Sequence, residues 1–102
     1  MAQGKKKITK KTVKLDSDII ASMAGEFRDK LLNLVKEGIE DLTLDLARVE
    51  MVDSVGLGVL IAAHNSLRGA GGKLTIKNVS EDIYRLFKTM RLDQHFEVIN
   101  AA

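Results

Sequence analysis

The spacing of apolar residues along this chain switches back and forth between a period of two and a period of three to four. Val13 and Leu15 alternate with Thr12 and Lys14, in a stretch from Ile8 to Leu15 that suggests a short half-exposed strand. Ile20, Met23, Ala24, Phe27, Leu31, Leu34 and Val35 then recur at helical spacing, and Gly38 stands where a helix ends. Leu42, Leu44 and Leu46 alternate with Thr43 and Asp45 as a second strand. A second helix is expected from about Gly56 to Leu67, with Leu57, Leu60, Ile61 and Leu67 on its buried stripe, before the break at Gly69-Ala70-Gly71-Gly72. Lys73 to Lys77 alternates again. Ser80-Glu81-Asp82 opens a third helix with a side-chain cap and acids in its first turn. Ile83, Leu86, Phe87 and Met90 are its expected buried residues, and Phe96, Val98 and Ile99 suggest a last short strand. Strands alternating with helices in this way point to an α/β sheet with crossover helices.

The chain has 102 residues, the size of one domain. It contains no cysteine, which removes disulfides, thiolate nucleophiles and cysteine metal sites. Six of the 16 basic residues (Lys5, Lys6, Lys7, Lys10, Lys11 and Lys14) precede Asp16, the first acidic residue. The rest of the chain sets 10 basic residues against 14 acidic ones, so the body is acidic and the basic character belongs to one end. Residues 1–11 are expected to form a basic N-terminal segment and 12–102 the domain. That segment has no aromatic residue for base stacking, and lysines also guard exposed strand edges, so no nucleic-acid partner is expected. No apolar run approaches the roughly 18–20 residues that cross a bilayer, and no apolar stretch follows the first lysines as in a secretory signal. A cytoplasmic protein is expected.

One loop carries the interest: Val52-Asp53-Ser54-Val55-Gly56-Leu57-Gly58-Val59, between the second strand and the second helix. Asp53 and Ser54 are both good helix caps, and free amides with a positive dipole end lie there. The loop can therefore be a capped helix start and nothing more, or a place where a hydroxyl accepts phosphate or a partner makes contact. Gly56-Leu57-Gly58 begins like a dinucleotide fingerprint, but Ile61 stands at the position of the third glycine and no acid follows about twenty residues on. Ser54 is not in a nucleophile elbow, and His64 lies ten residues along the same helix, about 15 Å away at 1.5 Å per residue. His64 falls near the apolar stripe and is expected at the boundary or in the core; His95 is expected at the surface. Asp16 and Asp18 read as turn and cap residues. No nucleophile–base pair and no metal set emerges, so neither an enzyme nor a cofactor is expected.

The run Met51-Val52-Asp53-Ser54-Val55-Gly56-Leu57-Gly58-Val59-Leu60 resembles the signature of STAS domains of the anti-sigma factor antagonist family. The resemblance continues through the turn Gly69–Leu74, through Ile83-Tyr84-Arg85-Leu86-Phe87, and through Leu92-Asp93-Gln94-His95-Phe96. It implies a mixed four- to five-stranded sheet with helices mostly on one face, and a non-enzymatic switch protein. It also implies a protein partner, an anti-sigma factor or a related histidine-kinase-like protein, in bacterial transcription control. Asp53, Ser54, Val55, Gly56, Leu57 and Gly58 are the implied partner-binding residues. The family's phosphoacceptor stands directly before Gly-Leu-Gly. Here that position is Val55, which cannot be phosphorylated, and Ser54 is the neighbouring hydroxyl that would have to substitute. A second departure is Ile20, where the family often has an aspartate beside the acceptor. These departures keep an alternative open: a constitutive STAS subunit of a transporter ATPase or sensory assembly.

Overall fold

The computed structural model describes residues 10–100. Four strands, β1 (Lys10–Lys14), β2 (Asp41–Asp45), β3 (Lys73–Val79) and β4 (Glu97–Asn100), lie in sequence order in one sheet, and every neighbouring pair is parallel. The α/β class holds. The expected mixed, four- to five-stranded sheet is four-stranded and wholly parallel among the described residues. Ile8, expected in the first strand, lies outside them.

Helices α1 (Ala21–Lys36), α2 (Ser54–Gly69) and α3 (Glu81–Thr89) connect successive strands, and a short 3-10 turn, Leu92–Gln94, precedes β4. Each crossover steps one strand further in the same direction, so connections of the usual right hand all fall on one face. The side chains record this. Val13, Leu42, Leu44, Leu74 and Ile76 are buried beneath the helices with Phe27, Leu31, Leu34, Leu60, Leu67 and Phe87 in a single core.

Among the described residues no helix covers the opposite face. Parallel sheets are usually covered on both faces, and here the register supplies a polar substitute. Lys10, Asp41 and Lys73 stand side by side, then Thr12, Thr43 and Thr75, then Lys14, Asp45 and Lys77. Opposite charges face each other across the β1–β2 and β2–β3 pairs, which favours this register over its slips. Between Lys77 and Val79 the register of β3 steps, and Asn78 adopts a left-handed conformation at φ 60°, which asparagine tolerates better than most residues. Its Nδ2 donates to Asp45 Oδ1 at 3.0 Å, which also accepts from Ala47 N–H at 3.0 Å. These two bonds hold the Asp45 carboxyl below its usual range against the opposing effect of burial.

Helix ends follow the sequence signals. Gly38, at φ 94°, closes α1: its N–H donates to Val35 O and that of Ile39 to Leu34 O, the paired bonds of a Schellman motif. Ser80 Oγ caps α3 by accepting from Ile83 N–H at 3.2 Å. Gly72 is demanded by sterics, since a Cβ there would overlap the backbone of Glu40. Two apolar assignments are corrected. Ile61 is 38% exposed and Met90 53% exposed, because Ile61 sits one position round the helix from the inward Leu60 and Met90 caps the end of α3.

Candidate functional site

The loop from Glu50 to Asp53 lies at the carboxyl end of the sheet, against the turn that leads from β1 into α1. Ile19 and Val52 form an isolated parallel bridge: Ile19 N–H donates to Met51 O at 3.0 Å and Asp53 N–H to Ile19 O at 3.2 Å. Side chains add to the seam from both directions. Asp18 Oδ1 accepts from Glu50 N–H at 2.8 Å and Met51 N–H at 3.2 Å. Asp53 Oδ1 accepts from Gly56 N–H at 2.8 Å, and its Oδ2 from Ala21 N–H at 2.9 Å.

One carboxylate thus serves the first turns of two helices. Ile20, the N-cap of α1, has no side-chain bond to offer, and Asp53 fills that role from across the seam. The Gly56 amide and then the Ala21 amide favour the charged form, so the Asp53 carboxyl is held below its usual range, with burial opposing. The positive end of α2 already has its anion, and that anion is Asp53.

Helix α2 begins at Ser54, two residues before the expected start at Gly56, and runs two residues beyond Leu67 to Gly69. Of the two candidate caps, Asp53 is the one that caps; Ser54 is the first helical residue. Gly56 is buried, and a Cβ there would overlap the carbonyl oxygen of Ile19. Its absent side chain lets the helix start pack on the β1–α1 turn. Leu57 is buried in the core.

The six signature residues therefore divide. Asp53, Gly56 and Leu57 hold the platform, while Ser54, Val55 and Gly58 face outwards. Val55 is 48% exposed, and Met51, the first residue of the signature run but not among its six expected contact residues, is 60% exposed four residues earlier. From Ser54 to Leu67, α2 has no Asp, Glu, Lys or Arg. Its outward side is Ser54, Val55, Gly58, Ile61, Ala62 and Asn65, an uncharged exposed strip of the sort that marks interaction surfaces. The signal for this strip was the missing charge on the outward spacing, not the glycines.

Other candidates lie away from this surface. His64 is buried, as expected, on the inner side of α2, and His95 is exposed. Asp18 is a tie between loops, and Asp16 pairs with Arg48 at 4.0 Å, both exposed. Among the described residues no three metal-ligating groups come together, and no helix is long and apolar enough to cross a membrane.

Comparison with known proteins gives a consistent outcome. The STAS domain family model matches residues 1–101. An anti-sigma-B factor antagonist from Bacillus subtilis is 36% identical over 80 residues, covering 71% of this chain and 72% of that protein. The protein of the same name from Listeria monocytogenes is 41% identical over 66 residues, covering 65% of this chain and 57% of its own length. Among solved structures, an anti-sigma factor antagonist from Mycobacterium paratuberculosis shares the fold with a TM-score of 0.79 at 23% identity, over 89% of this chain and 77% of that one.

Proposed function

This chain belongs to the STAS domain family, and from that membership we propose that it is a non-enzymatic regulator acting as an anti-sigma factor antagonist. In this reading it binds an anti-sigma factor or a related histidine-kinase-like protein, in the cytoplasm of a bacterium. The contact is made by Ser54, Val55 and Gly58 with Met51, on the platform fixed by Asp53, Gly56 and Leu57. The observation that carries the proposal is the uncharged, half-exposed start of α2, held by hydrogen bonds from two loops. A rigid surface loses little entropy on binding, and exposed apolar residues supply area.

The resemblance makes residue 55 the phosphoacceptor, and valine has no oxygen to accept a phosphoryl group. Binding is therefore constitutive with respect to that modification. Ser54 is the neighbouring hydroxyl, but it does not stand directly before Gly56-Leu57-Gly58, where the resemblance puts the acceptor. The alternative, a subunit of a transporter ATPase or sensory assembly, draws only on a fold that many functions share.

The test is calorimetric titration of the purified chain into a kinase-like anti-sigma factor. Val55→Lys is expected to weaken binding at least tenfold, about 1.4 kcal/mol, with the melting temperature unchanged. Lys10→Glu, on the opposite sheet face, is expected to leave affinity within about twofold, as a change outside the contact does. Native affinity in Val55→Lys together with a loss in Lys10→Glu would place the contact on the sheet instead.

A further inference from the structure

Among the described residues, His64 is the one buried ionisable side chain that the partner surface does not use and that has no hydrogen bond. It is 7% exposed, and neither Nδ1 nor Nε2 has a partner. What lies against the ring comes from the segment that ends the described chain. The His95 ring is 6.1 Å away between centroids, and the Phe96 ring 5.8 Å away, presenting an edge. Phe96 in turn meets Phe87 of α3 edge-to-face at 6.0 Å. The imidazole is thus the α2 end of an aromatic stack that docks the stretch Leu92–Asn100.

A neutral imidazole in this place already leaves one donor and one acceptor unmade. A protonated one adds a charge and a second donor with no acceptor in reach, which costs far more in a dry site. Charged neighbours worsen this. From α2 itself Arg68 stands one turn on, and from the docked segment it is His95; both oppose a charge on His64, after burial, the largest effect. Asp93 and Glu97 of the same segment, with Lys73 of β3, line the groove beside His95, and none of them accepts a hydrogen bond from His64. From α3 the group that reaches the stack is the apolar Phe87.

We propose that His64 is the proton sensor of a latch: as neutral imidazole it holds the segment Leu92–Asn100 against α2, and as imidazolium it releases that segment. The segment yields rather than the helix for a structural reason. α2 contributes five residues to the hydrophobic core, whereas β4 is an edge strand, paired among the described residues only with β3. Edge elements with few partners open at lower free energy than the core. Acidification therefore takes Asp93, His95 and Glu97 away from the groove they line with Lys73 and Leu74 and frees the β3 edge, while the Asp53 platform at the other end of α2 stays formed.

The experiment is amide hydrogen exchange on the full chain at pH 7.5 and pH 5.0, corrected for intrinsic exchange rates. In the native protein the β4 amides are expected to lose protection, by about tenfold for each unit by which folding lowers the proton affinity of His64. The β2 amides are expected to keep theirs. In His64→Leu the β4 loss is expected to vanish, and His95→Gln is expected to reduce it. His64→Asn, another neutral replacement, gives the same readout should the leucine variant fold poorly. Two results overturn the latch: equal losses in β2 and β4, which mean global destabilisation, or an undiminished β4 loss in both His64 variants.

Discussion

Asp53 Oδ2 accepts a hydrogen bond from the amide of Ala21 at 2.9 Å, across 32 residues of chain. The same carboxylate caps its own helix through Gly56, so removing it strands donors at two helix starts. Asp53→Ala is therefore expected to lower the melting temperature more than Ser80→Ala, which strands one donor and costs about 1 kcal/mol. Asp53→Asn falls between them, because its amide nitrogen cannot accept from Ala21. The pH dependence has a fixed sign. The folded carboxyl is held below its ordinary value of 3.8, so the unfolded chain takes up the proton first. The contribution is complete above that value and is lost as the pH falls below it. Thermal melts at pH 7 and near pH 2.5 check this; a gap between native and Asp53→Asn that persists unchanged in acid would falsify it.

Gly56 and Gly58 flank Leu57 in the signature, yet they answer to different constraints. A Cβ on Gly56 overlaps the Ile19 carbonyl, while one on Gly58 meets nothing within 4 Å. Alanine is a better helix former than glycine by roughly 0.8–1.0 kcal/mol. Gly58→Ala is expected to gain about that amount in denaturant titrations. Gly56→Ala is expected to destabilise, because the helix start must back away from the turn that carries Asp18. Equal stabilities for the two variants would contradict the packing described.

Much of the fold was legible because its signals are local. The period of the apolar residues marked every strand and α-helix but not the 3-10 turn Leu92–Gln94, Gly38 and Ser80 marked helix ends, and His64 was expected at the boundary or in the core and is buried. Other features depend on what a segment packs against. Ile61 reads as stripe by spacing, but it lies at the flank of α2, where it is covered only in part and stays 38% exposed. The uncovered sheet face became visible only when the strand register set Lys10 beside Asp41 and Lys14 beside Asp45. At the site, Asp53 was legible as a cap of α2. Its bond to Ala21, and that of Asp18 to Glu50 and Met51, join loops some thirty residues apart and leave no local trace.

The difference between stripe and core is measurable. Leu60 and Phe87 are each 0% exposed. Leu60→Ala is expected to cost about 2–5 kcal/mol and Phe87→Ala about 3–5 kcal/mol, from lost transfer energy and the cavity left behind. Ile61→Ala and Met90→Ala, at half-open positions, are expected to cost no more than about 1 kcal/mol. Urea titrations of the four variants separate the pairs, and a Leu60→Ala loss as small as that of Ile61→Ala would break the assignment of the α2 inner face.

Val55 gives the sharpest test of the proposed regulation. With a partner kinase and ATP, the native chain is expected to gain no phosphate, since the acceptor position carries only methyl groups. Val55→Ser is expected to gain one, because Asp53, Ser54, Gly56, Leu57 and Gly58 already match the signature and residue 55 is exposed. The new group would bring a charge of about −1.5 to −2 to the outward side of α2, which is uncharged from Ser54 to Leu67. Binding of the modified chain should then weaken, because a contact built on uncharged area would have to desolvate that charge. Intact mass of both proteins, followed by site mapping, reads the outcome. A phosphate on Ser54 of the native chain means that the switch has moved by one residue and that constitutive binding is wrong. A Val55→Ser chain that stays unmodified beside a kinase proven on another antagonist means that this surface serves a partner without kinase activity.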